Sequence, residues 1–80
     1  MKNGQIWYFT NPLGTEFFYR IKEAFDLSNM FANVDMVVVD SDGTSVYKAD
    51  TDVQKGFIYR YAKVRDDVDF DALIERSERV

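Results

Sequence analysis

Apolar and polar positions along the chain mark out a series of short elements. Gln5–Thr10 is rich in aromatic and β-branched residues and predicts a first strand. Asn11-Pro12-Leu13-Gly14 ends it, with Pro12 and Gly14 as turn signals. Thr15 is then placed as a helix N-cap with Glu16 in the first turn. Phe17, Phe18, Ile21, Ala24, Phe25 and Ser28 fall in one stripe at helical spacing, which predicts an amphipathic helix. Tyr19, Lys22, Glu23 and Asp26 take its polar side. The helix is expected to fray between Asp26 and Asn33, with Ser28-Asn29 as the break.

Val34–Asp40 and Thr44–Asp50 predict two further strands. Ser41-Asp42-Gly43 between them predicts a tight turn in which Gly43 adopts a positive φ. Asp50-Thr51-Asp52 and Lys55-Gly56 bracket a loop. Gly56–Arg65 reads as the longest strand, with Phe57, Tyr59, Tyr61 and Lys63 on one side and Ile58, Arg60, Ala62 and Val64 on the other. Acids from Asp66 to Asp71 open a short C-terminal helix whose inner face is Phe70, Leu73, Ile74 and Ser77. Glu75 and Arg79 form an i, i+4 pair on it. The expected order is β-α-β-β-β-α in one α+β domain over residues 1–80. It would be a small antiparallel sheet, ferredoxin-like in part, with the first helix on one face and the second over an edge or part of that face.

Composition narrows the chemistry. The 80 residues contain neither cysteine nor histidine. Disulfides, thiolate metal sites and Ser-His-Asp catalysis therefore cannot be built within the chain. No cofactor or metal is expected. The acids around Asp40 and Asp50 do not fit a calcium loop, because Gly43 and Thr51 fall where that loop's spacing needs other residues. The formal net charge is −4 and the sequence pI about 4.6, with acid in excess in both halves. A duplex-binding protein carries a basic footprint, so direct duplex DNA binding is not expected. No apolar stretch is long enough to span a membrane, and Met1-Lys2-Asn3-Gly4 leads straight into a strand, so a soluble cytoplasmic protein is expected.

Two stretches resemble known families. Val37-Val38-Val39-Asp40-Ser41-Asp42-Gly43-Thr44 resembles motif I of the haloacid dehalogenase-like phosphatases. That resemblance implies a phosphoryl-accepting aspartate at Asp40, a general acid/base at Asp42 and magnesium between them. It also implies a parallel α/β sheet, which the chain after Thr44 is too short to complete, so a hairpin turn is the expected role of these residues. Lys55-Gly56-Phe57-Ile58-Tyr59 is similar to the start of the RNP1 segment of RNA-recognition motifs, and Trp7–Asn11 to RNP2. That resemblance implies single-stranded nucleic acid stacked on Phe57 and Tyr59. Ile58, Arg60 and Ala62 depart from its pattern.

Aromatic residues make up 16% of the chain. Side chains alternate along a strand, so the neighbours Trp7, Tyr8 and Phe9 cannot all enter one core. Phe17, Phe18, Phe25 and Phe70 are assigned to helix faces turned inward, which leaves Tyr8, Tyr19, Tyr47, Tyr59 and Tyr61. With Arg60 these form the candidate contact surface, since Tyr and Arg are enriched at interface hot spots. Asp66, Asp67 and Asp69 are candidate acidic contacts and equally complement the dipole of the following helix. The chain resembles in size and style the accessory inhibitors encoded by phages and mobile elements, anti-CRISPR and other anti-defence proteins among them. That resemblance implies a non-enzymatic module that occludes a surface, including a nucleic-acid-binding one, on a larger host protein. A homodimer formed through an uncovered sheet face is the alternative.

Overall fold

The computed structural model describes residues 1–24 and 30–80. Among them the chain forms β1 (Ile6–Thr10), β2 (Glu16–Ala24), β3 (Phe31–Val39), β4 (Ser45–Gln54), α1 (Lys55–Tyr61), β5 (Lys63–Val64), α2 (Phe70–Arg76) and β6 (Glu78–Arg79). The result is an α+β domain built on one mixed sheet of order β5-β1-β2-β3-β4-β6. β1 to β4 form an antiparallel meander. β5 closes the outer edge of β1, and β6 runs parallel to β4 on the other edge.

Two predicted elements change type. The segment expected as the first helix is β2, in register with β1 and β3 through Phe17, Phe18 and Tyr19. Phe25 and Ser28 of the predicted stripe lie outside the described residues. Thr15 caps no helix: the Asn11 side chain accepts from the N–H groups of Leu13 and Thr15, and Gly14 at φ 85° completes a direct β1–β2 turn. The segment expected as the longest strand is α1 followed by the two-residue β5. With these changes the β-α-β-β-β-α order and the ferredoxin-like layout are not formed.

Each face of the sheet is covered in part by one helix. On the first, Tyr19 and Ile21 of β2 and Ala32 and Val34 of β3 pack with Ile58 of α1 and Ala62 at its C-cap. On the second, Ile6, Phe18 and Val37 pack with Phe70 and Leu73 of α2. Consecutive apolar residues on β1, β2 and β3 are thereby all used, as in sheets covered on both sides. α1 is too short to stand alone and has no side-chain cap, so it depends on this packing. α2 is better supported at its N-terminus, where Asp69 accepts from Ala72 N–H at 3.1 Å. The predicted C-terminal helix and its inner face are therefore observed, although Arg79 lies in β6.

Asp35 is the buried charge of the described residues, 4% exposed, on the α2 face. It sits where the β3–β4 register slips between Val34 and Met36. Asp50, on the opposing strand, has φ 54°, and its N–H is taken up by the Asp35 carboxylate at 3.3 Å. Arg20 pairs with Asp35 at 3.1 Å and with Asp71 at 2.9 Å, while its guanidinium covers the Phe70 ring. Lys22 joins Asp35 to Asp50. Partial burial opposes the Arg20 charge, but the hydrogen bonds to Asp71 and Asp35 outweigh it and hold its pKa above the ordinary value. The irregular ladder thus has a buried acceptor, and that acceptor has two cations.

Candidate protein-interaction surface

α1 crosses the first face with Ile58 fully buried beneath it, which fixes where its other side chains point. Phe57 and Tyr61, one helical turn apart, meet with ring centroids 5.0 Å apart. Both reach Phe9 of β1, at 5.4 and 6.4 Å, and Phe9 stacks on Phe17 of β2 at 4.7 Å. Tyr59 stands edge-on to Trp7 at 5.6 Å, and its hydroxyl accepts from the N-terminal ammonium at 3.0 Å. Arg60 lies over the Tyr61 ring at 5.4 Å. Tyr59 and Tyr61 remain 55% and 52% exposed, held by neighbours yet open to contact.

The aromatic surface continues onto the sheet. Phe9, Phe17, Val38 and Val46 are successive cross-strand partners, so they form one row on the α1 face. α1 reaches the Phe9 end of this row through its rings, whereas Val38 is half-buried and Val46 exposed at the other end. Glu78 follows Val46 in the row, and Lys48 lies beside Met36 in the next one.

The predicted contact residues divide between the two faces. Tyr59, Tyr61 and Arg60 come together on α1. Tyr19, expected on a polar helix side, is a correction: as a β2 residue on the α1 face it is only 4% exposed and belongs to the core. Burial pushes its phenol pKa above the ordinary 10.0. Tyr8 is half-buried on the α2 face, where its hydroxyl donates to Glu16 at 2.9 Å and accepts from Thr10. The Arg65 guanidinium lies 5.0 Å above its ring. Tyr47 is half-buried on the same face beneath Arg79. Asp66, Asp67 and Asp69 are exposed on the connection from β5 to α2, which carries the chain from one face to the other. Asp67 is engaged by Arg65 through two hydrogen bonds of 3.0 and 2.9 Å, which hold its carboxyl below the usual range. Asp69 is committed to capping α2.

The stretches that resemble enzyme or RNA-binding motifs occupy different settings from those families. β3 runs antiparallel to both neighbours, and Asp40–Thr44 closes the β3–β4 hairpin with Gly43 at φ 90°, as expected. Asp42 accepts from the N–H and hydroxyl of Thr44, and those bonds lower its pKa. Lys55–Tyr59 is the start of α1, so Phe57 and Tyr59 do not sit on a sheet strand as RNP1 aromatics would. Among the described residues no group of three or more acidic, His or Cys side chains is placed to hold a metal. No helix among them is long and apolar enough to cross a membrane. A cavity of about 280 Å³ opens between α2 and the hairpin over Phe18, Val39 and Leu73, with Glu16 and Arg76 at its rim.

Phe9, Phe17, Val38 and Val46 are not among the predicted contacts, and Phe57 is predicted there only as a nucleic-acid contact. The i, i+4 spacing of Phe57 with Tyr61, together with that of Ile58 with Ala62, is the signal that marks the helix and its aromatic flank. Comparison with protein-family models, curated proteins and solved structures finds no match to this chain.

Proposed function

We propose that this chain is a non-enzymatic protein-binding module of the accessory-inhibitor kind, which uses the α1 face to occlude a surface of a larger host protein. The observation that carries this reading is the set of exposed aromatic side chains on α1. Phe57 and Tyr61 pack on Phe9 along one flank and Tyr59 on Trp7 along the other, with Arg60 over the Tyr61 ring and Ile58 fully buried beneath. Aromatic and Arg side chains dominate binding energy at protein interfaces, and rings already held by neighbours lose little freedom on contact. Asp66, exposed on the turn beyond β5, would meet basic groups on the host protein, including those of a nucleic-acid-binding surface. A host protein inside the cell, of the kind phage and mobile-element inhibitors act on, is the expected target.

Affinity capture with the tagged chain tests this. One large protein should be recovered with the wild type and lost with Tyr59→Ala or Tyr61→Ala, while circular dichroism shows both variants folded. Equal recovery by the folded variants would sink the assignment of the surface.

A further inference from the structure

Charged groups are arranged differently on the two sides of the sheet, and this bears on what the α1 face takes. The α2 side carries Glu16, Asp35, Asp50, Asp71 and Glu75 together with the cations Arg20, Lys22, Lys63, Arg65, Arg76 and Arg79, several of them paired with those acids. On the α1 side, contacts and register place Arg60, Lys48 and the N-terminal ammonium. Glu78 is the one acid that register places there among the described residues. The exposed rings of α1 and the Val46 end of the row therefore share one side of the sheet with Arg60, Lys48 and the N-terminal ammonium, with Glu78 beside Val46.

We propose that the open end of the α1 face seats an acidic segment of the partner protein that carries apolar anchors. This rests on the protein-binding reading above and specifies the chemistry of the partner. The apolar anchors would lie along Phe9, Phe17, Val38 and Val46, bordered by Phe57 and Tyr61. The carboxylates would reach Arg60 and Lys48, which stand beside that row rather than within it. Charge complementarity at these two cations sets encounter rate and selectivity, while the buried apolar contacts hold the complex.

Two other occupants fit less well. A second copy bound by a two-fold axis would bring the same cations against one another. Single-stranded nucleic acid needs a cationic track along successive phosphates, which two side chains on a net-acidic chain do not supply.

The test is a titration of the ¹⁵N-labelled full chain with two synthetic peptides of identical Leu and Trp positions, one spaced with Glu and one with Lys. The Glu peptide should shift the amides of Phe9, Phe17, Val38 and Val46, and bind about tenfold more tightly than the Lys peptide at low salt, with the difference shrinking as salt screens the two cations. The double variant Lys48→Glu/Arg60→Glu should reverse that preference while its thermal unfolding stays at the wild-type temperature. Equal binding of both peptides, or shifts confined to the α2 face, overturns the proposal. So does preferential occupation of the same row by oligo-dT, or sedimentation as a dimer with that row buried. If the Glu peptide fails while Tyr61→Ala still abolishes partner capture, the acidic segment is wrong and the binding surface stands. Failure of both removes both.

Discussion

Replacing Ile58 by Ala should unseat α1. The side chain is fully buried among Tyr19, Ile21, Ala32 and Val34. Truncating a buried Ile to Ala costs about 2–5 kcal/mol, from lost transfer energy and the cavity left behind. α1 has seven residues and no side-chain N-cap, so little local stability exists to absorb the loss. Each kcal/mol lowers the melting temperature of a domain this size by about 4–8 °C, which predicts a fall of at least about 8 °C. Trp7 is the chain's single tryptophan and touches Tyr59 of α1, so its emission should shift to the red before global unfolding. Ile58→Val provides a milder step of about 0.5–1.5 kcal/mol should the Ala variant fail to fold. The assay is thermal unfolding followed in parallel by far-UV circular dichroism and Trp7 fluorescence. A melting temperature within about 2 °C of wild type for Ile58→Ala, with unchanged Trp7 emission, would refute the packing described here.

Asp35→Ala should destabilise the domain by about 1–3 kcal/mol, because the Asp50 N–H at the β3–β4 irregularity loses its acceptor; urea unfolding measures this, and Asp35→Asn should recover part of it. Tyr19 predicts an alkaline limit. Its folded-state pKa is raised by burial, so its contribution is intact below the ordinary 10.0 and is lost as pH climbs through the folded value. The urea midpoint should therefore drop more steeply above about pH 10 in wild type than in Tyr19→Phe; parallel pH profiles would contradict this. Asp69→Ala should cost about 1 kcal/mol by removing the α2 cap, with the loss seen in amide exchange of Ala72 and the neighbouring first-turn residues.

The sequence was legible where one structural period dominated. Ile6–Thr10, the strands on either side of Asp42-Gly43, and the helix over Phe70, Leu73 and Ile74 stand as expected, with shifted ends. β2 departs from its predicted helix because it is central and covered on both faces. Phe17, Tyr19 and Ile21 serve one core and Phe18 the other, and that run of apolar residues also fits a helical stripe. α1 departs in the opposite sense, since Phe57, Tyr59 and Tyr61 are residues that favour strands and they alternate. Tertiary burial of Ile58 and Ala62 decides the helix. The strand that would put Tyr59 and Tyr61 on one side is α1 instead, which turns Tyr59 toward Trp7 and Tyr61 toward Phe9, and Tyr19 lies inward because β2 is a strand. The surplus of neighbouring aromatics has a simple resolution, which is that the sheet has two cores.

The α1 face as the binding surface is tested most directly by mapping protection on the chain when its captured partner is bound. Hydrogen exchange should slow at residues 57–61 and along Phe9, Phe17, Val38 and Val46, with α2 unchanged. Protection confined to α2 and the Asp66–Asp69 turn, with α1 exchanging as in the free chain, would contradict the account.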